Sequence, residues 1–217
     1  MKQSQDANAA FGNDTADYTL KQQVAREAAT LLYFGAEKEY KQAKKHAAET
    51  LGTHFLPSNH DIALELDIIA EENEGAERKK RLMQMRSEAL RIMKVLDAYC
   101  PLLIGSVWRG TVRRGSDIDI AVYSDEPQQV VDNLKAAGVK ISRAIWTTVN
   151  KRGTTLESFH IYAETTEKQS LEIVVRSCEE KGKSRKCETF GDEIKGLKTQ
   201  ELEKVLRDNP TEKFIPQ

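Results

Sequence analysis

The chain has little of what usually announces a function. Its 217 residues include three cysteines, Cys100, Cys178 and Cys187. An odd count, wide spacing and no CxxC argue against a disulfide framework or a cysteine zinc site. Cys178 and Cys187 could pair locally under oxidation, against the reading of ordinary reduced thiols. The histidines, His46, His54, His60 and His160, stand at no metal-ligand spacing with the cysteines and read as surface or packing residues. Charge of one sign is missing too. Lys and Arg number 33 against 34 Asp and Glu, for a net charge of −1. Overall charge therefore does not announce a nucleic-acid binder, although local patches still could. No apolar run approaches the roughly 18 residues of a membrane helix, and the N-terminus has no signal-peptide core. The expectation is a soluble, cytoplasmic protein. There is no internal repeat. Hydrophobic residues make up 39%, enough for one large domain or two small ones.

What the chain does have is residues 102–123, LLIGSVWRGTVRRGSDIDIAVY. This reads as strand, glycine turn, basic connection, strand. The run Leu102-Leu103-Ile104 stops at Gly105-Ser106. Further on, Asp117 and Asp119 alternate with Ile118, Ile120 and Val122. Alternation puts the two carboxylates on one face of a strand and the aliphatics on the other. Two adjacent carboxylates repel unless a cation lies between them, and hard oxygen donors suit magnesium or manganese. Gly105-Ser106 lets backbone N–H groups approach an anion. Arg109, Arg113 and Arg114 add guanidinium forks that can meet phosphate. Arg109 can equally serve a fold-stabilising ion pair, and Ser116 either touches substrate or shapes the turn. Trp108 reads as core before it reads as a base-stacking surface. Together these residues ask for a nucleoside triphosphate and its metal ion.

The order Gly105-Ser106, Arg109-Gly110-Thr111, then Ser116-Asp117-Ile118-Asp119-Ile120 resembles the signature of the DNA polymerase β-like nucleotidyltransferase superfamily, in particular its small minimal members. Ten residues separate Ser106 from Asp117, as in that pattern. The resemblance implies NMP transfer from an NTP to a hydroxyl acceptor, with two metal ions. It also implies a third acidic residue on a neighbouring strand. Glu172, which interrupts the apolar run SLEIVVR, is the candidate, since a bare charge there is costly unless paired or metal-bound. The family more often has Asp at that place. Glu157 and Glu164 are fallbacks. The expected site is thus Asp117, Asp119 and Glu172 as metal-binding and catalytic residues, with Gly105, Ser106, Arg109 and Ser116 toward the nucleotide. RNA ends, small hydroxylated molecules and protein hydroxyls are all acceptors in the superfamily, and a homodimer is left open. The competing reading is a catalytically silent nucleotide-binding or partner-docking module, including an antitoxin-like role.

The expected fold class is α+β: a nucleotidyltransferase-like mixed sheet with helices on one face, preceded by an α-helical N-terminal segment. Residues 1–16 are polar and expected to be loose. Residues 17–75 read as helices, carrying the basic group Lys38, Lys41, Lys44 and Lys45. That group is a solvated face or a polyanion-contacting one. Ser58-Asn59-His60-Asp61 has a capping-box pattern, and Gly75 punctuates. The nucleotidyltransferase domain is expected over residues 76–178, led by a long helix with the apolar stripe Leu82, Met85, Ala89, Ile92, Met93 and Leu96. Within it, residues 128–137 read as a helix, 139–146 as a strand, 147–155 as a basic loop, and 158–163 and 170–176 as strands. His160 shares a strand face with Ser158 and Tyr162. Residues 179–217 read as a basic loop (KGKSRK), a short helix with a small apolar face, and a loose tail after Pro210.

Overall fold

The computed structural model describes residues 6–151 and 154–216, with side chains for 19–148 and 157–216. The chain divides into two compact units. The first is residues 1–74 with 187–191, and the second is residues 75–186 with 192–217.

In the first unit, α1 (Asp6–Tyr33), α2 (Tyr40–Thr50) and the start of α3 (Asn59–Val95) are helices. Looseness was expected over 1–16. Residues 1–5 lie outside the described residues, and from Asp6 onward the chain is helix. Gly35 separates α1 from α2. The core here is built largely from small side chains: Ala25, Ala28, Ala29, Ala43, Ala47 and Ala48 pack with Val24, Leu32, Ile62 and Ile69. Alanine favours helix and lets backbones approach closely. Ser58 and Asp61 form the expected capping box. The Asp61 N–H donates to Ser58 Oγ at 3.1 Å, and the Ser58 N–H donates to Asp61 Oδ2 at 2.9 Å.

Gly75 interrupts α3 with φ 49° and ψ −126°, a conformation open in practice only to glycine. The division between the units falls at this residue. Beyond it, Leu82, Met85, Ala89, Ile92, Met93 and Leu96 are buried in the core of the second unit, as the stripe predicts.

The second unit is a six-stranded mixed sheet in the order β3-β4-β5-β2-β1-β6. The strands are β1 (Leu102–Ile104), β2 (Ile118–Tyr123), β3 (Lys140–Lys151), β4 (Thr154–Glu164), β5 (Ser170–Arg176) and β6 (Leu197–Lys198). β2 pairs parallel with β5, whereas β1–β2, β3–β4 and β4–β5 are antiparallel. Helices α4 (Gly105–Arg109), α5 (Pro127–Ala136) and α6 (Thr199–Asp208) complete it. Ile118, Ile120 and Val122 are fully buried, as the alternation requires. Val130, Val131 and Leu134 of α5 join the same core.

Three expectations are corrected. The turn at Gly105-Ser106 is the start of a short helix. The basic loop over 147–155 is largely a continued β3–β4 ladder, with Thr148 opposite Glu157 and Lys151 opposite Thr154; Arg152 and Gly153 lie outside the described residues. The β-branched residues Thr147, Thr148, Val149, Thr154 and Thr155 favour strand there. The tail after Pro210 is anchored. Arg86, fully buried, donates to the carbonyls of Val107, Trp108, Pro210 and Glu212. Burial pulls its pKa down to about 10. The Phe214 N–H donates to the Arg109 carbonyl at 2.9 Å, and the Phe214 side chain packs against the core.

Candidate active site

β1 delivers the chain to Gly105, and β2 returns it antiparallel with Asp119 opposite Ile104. The two halves of the motif therefore meet at one end of the strand pair. Gly105 has φ +70°, and a Cβ built there would lie 2.0 Å from Asp119 Oδ2. Only glycine allows the carboxylate to sit against this turn. Asp117 immediately precedes β2, and Asp119 is its second residue.

The parallel pairing of β2 with β5 places Glu172 directly opposite Asp119. The fallbacks stand elsewhere on β4: Glu157 pairs with Thr148 and Glu164 with Lys140. Burial, then the charges of Glu172 and Asp117, push Asp119 up to about 7. Asp117 is raised as well, first by burial and then by Glu172, against a hydrogen bond from Ser170. Like charges that raise one another's pKa are what a bound cation relieves. The donor set of carboxylate oxygens fits magnesium or manganese. Among the described residues no three His, Cys, Asp or Glu side chains are already gathered around one ion position. Glu172 has another partner.

That partner is His160. His160 Nδ1 lies 2.7 Å from Glu172 Oε1, and Ser158 Oγ lies 2.8 Å from His160 Nε2. Ser158, His160 and Tyr162 alternate along β4 on one face, and Tyr162 stands opposite Glu172 in the ladder. Burial and the charge of Glu172 raise the Tyr162 phenol. Arg143 of β3 lies over the Tyr162 ring, 5.7 Å from its centroid. Sequence reasoning missed His160 as a member of this cluster. The signal was the shared face of residues 158, 160 and 162. The information that this face meets Glu172 comes only from strand pairing.

Arg109 and Ser116 settle into the scaffold, whereas Arg114 is exposed. Arg109 is buried, salt-bridged to Asp192 at 2.6 Å, and donates to the Phe214 carbonyl at 2.9 Å. Its guanidinium also lies over the Trp108 ring, which is buried in the core. Of the two roles open to Arg109, this geometry is the ion pair. Ser116 Oγ accepts from the Arg113 N–H at 2.9 Å, closing the turn before Asp117. The carbonyl of Ser106 accepts from Thr111 N–H, which ties the short helix to the connection after it.

Residues 102–195 match the family profile described as nucleotidyltransferase domain. That stretch takes in the turn at Gly105-Ser106 together with Asp117, Asp119 and Glu172. No curated relative matches the sequence. Among solved structures, the chain is similar to a cytoplasmic RNA terminal U-transferase at 14% identity, with TM-score 0.32, covering 54% of this chain and 34% of that one. It is similar to Cid1 in complex with its short product ApU at 15% identity, with TM-score 0.33 and coverages of 54% and 37%. It is also similar to the GLD-2/RNP-8 complex at 9% identity, with TM-score 0.32 and coverages of 56% and 38%. The chain thus spans under two fifths of those chains' lengths, and likeness at this level adds nothing to the geometry above. No helix among the described residues is long and apolar enough to cross a membrane.

Proposed function

We propose that the nucleotidyltransferase domain transfers a nucleoside monophosphate from a nucleoside triphosphate to a hydroxyl acceptor, with magnesium or manganese held by Asp117 and Asp119. The observation that carries this reading is the register that sets Glu172 beside Asp119, at the turn where Gly105 leaves room for the carboxylate. Bound divalent metal would neutralise charge on the attacking and leaving oxygens of an in-line displacement. The backbone at Gly105 and Ser106 faces the triphosphate. Glu172 accepts the proton of the acceptor hydroxyl or joins Asp117 and Asp119 around the metal. His160, between Glu172 and Ser158, orients that carboxylate and offers the proton a path onward. Arg109 and Ser116 shape the loop rather than touch the nucleotide.

The acceptor belongs to the same proposal. Lys38, Lys41 and Lys45 are exposed, while Lys44 donates to the Pro57 carbonyl. Exposed cations on α2 and just before it favour a macromolecular polyanion such as RNA. An RNA mobility shift indifferent to substitution of these lysines removes that support.

The test is pyrophosphate release from each of the four NTPs with magnesium or manganese, in a lysate that supplies acceptors. Release by the wild type and none by an Asp117→Ala/Asp119→Ala variant supports transfer. Equal release by both sinks it. The second reading, a silent nucleotide-binding module, is favoured by the hydrogen bond that holds Glu172 on His160. Metal-dependent NTP binding without release across a broad acceptor panel decides for it.

A further inference from the structure

The basic loop KGKSRK plays no part in the site above. Its residues line a cavity at the other end of the same sheet, where Leu102, Tyr123 and Arg176 stand instead of Ile104, Asp119 and Glu172. The cavity holds about 910 Å³, within the range of small-molecule sites. Arg176, Lys181, Lys183, Arg185, Lys195 and Lys198 line it, against three acids, Asp97, Glu193 and Glu201.

The cations are unevenly answered. Arg185 pairs with Glu180 at 2.6 Å, and Lys181 Nζ lies 2.9 Å from Cys100 Sγ. Glu201 Oε2 is taken by the Lys198 N–H at 2.8 Å. Among the described residues no carboxylate lies within ion-pair reach of Lys183 or Lys195. At the inner wall, Arg176 Nε is sealed from solvent and has no hydrogen-bond partner. A buried guanidinium donor left unmet is costly. Burial, and next Arg185, lower the Arg176 pKa, while Tyr123 and Glu180 oppose them. The walls are tied together by backbone. Ile194 N–H donates to the Arg185 carbonyl at 2.8 Å, and Lys186 bridges to Glu193.

We propose that this cavity is a second anion site, separate from the carboxylates, that takes a nucleotide-sized polyphosphate, with Lys183 and Lys195 meeting phosphate oxygens and the Arg176 guanidinium adding positive charge at the wall. Guanidinium and ammonium donors gathered around one cavity suit a compact polyanion better than a strand. The site needs no metal, so it is separable from nucleotidyl transfer and stands if that reading fails.

The experiment is calorimetric titration of the full chain with inorganic tripolyphosphate in EDTA, which silences metal-dependent binding at Asp117 and Asp119. A parallel arm uses a single-stranded RNA oligonucleotide lacking a terminal triphosphate. Expected are saturable tripolyphosphate binding at one site, no change in Asp117→Asn/Asp119→Asn, and at least about a tenfold loss in Lys183→Glu/Lys195→Glu, whose surface changes leave the fold intact. An Arg176→Gln variant should show the same loss with an unchanged circular dichroism spectrum. Absence of binding overturns the proposal. So does binding indifferent to Lys183 and Lys195, or a site that takes only the RNA.

Discussion

At the residue scale, Asp119 concentrates the conflict between folding and chemistry. Its pKa rises from 3.8 to about 7 because burial and two neighbouring acids disfavour its charge. The unfolded chain releases that proton near its ordinary value, while the folded chain keeps it to about pH 7. The folded state therefore binds the extra proton, and stability falls as pH climbs through that window. The full shift corresponds to at most about 4 kcal/mol. Asp119→Asn should raise the melting temperature of the metal-free protein at about pH 8, and most of the gain should be gone near pH 4, where the folded wild-type acid is neutral and the unfolded one is close to half-protonated. Magnesium or manganese should stabilise the wild type at about pH 8 and not the variant. Scanning calorimetry at both pH values checks this; a variant less stable at high pH contradicts it. The motif residues were legible because their chemistry is local: a glycine, a ten-residue spacing and alternating acids. Arg109 was not, since its partners, Asp192 and the Phe214 carbonyl, come from far along the chain.

At the element scale, the arrangement of β5 between β2 and β4 makes the site. It sets Glu172 between Asp119 on one side and Tyr162 on the other. Periodicity found the strands, and an acid in an apolar strand marked Glu172. Neighbouring order within a sheet is invisible to periodicity, because pairing partners share no local pattern. His160 shows the consequence: it looked like packing until β4 lay beside β5. His160→Gln should lower kcat about 10–100-fold, the range for partners that orient a site carboxylate, with little change in KM for the nucleotide. An unchanged kcat with a raised KM would mean that His160 only packs. The ladder over 147–151 was misread as a loop because Lys151, Arg152 and Gly153 suggested a connection, yet strand propensity and cross-strand pairing carried β3 through.

At the scale of the whole molecule, each unit has its own core, one alanine-rich and helical, the other mixed with the sheet. The second unit closes on itself through the chain's far end. Arg86 reaches the carbonyls of Pro210 and Glu212 across 124 and 126 residues of sequence, at 2.8 Å each. Arg86→Met should cost at least about 3 kcal/mol, because it leaves several carbonyls without their buried donor. Deleting residues 209–217 should cost a comparable amount by exposing Phe214's place on the core and unmaking Arg109's hydrogen bonds with Phe214. Denaturant unfolding measures both, and a cost below about 1 kcal/mol in either would show the tail to be dispensable. The division of labour between sequence and fold follows from range. Helix and strand periods, the capping box, the break at Gly75 and the glycine–acid motif depend on near neighbours, so the sequence by itself determined the α+β class and the two aspartates. Which acid stands opposite Asp119, that His160 holds it, that Arg109 and Arg86 are spent on the C-terminal segment, and that KGKSRK walls a cavity depend on residues brought together from distant parts of the chain. Tertiary structure alone decided these, because strand order and long-range burial are settled by the packing of the whole unit and by no local stretch.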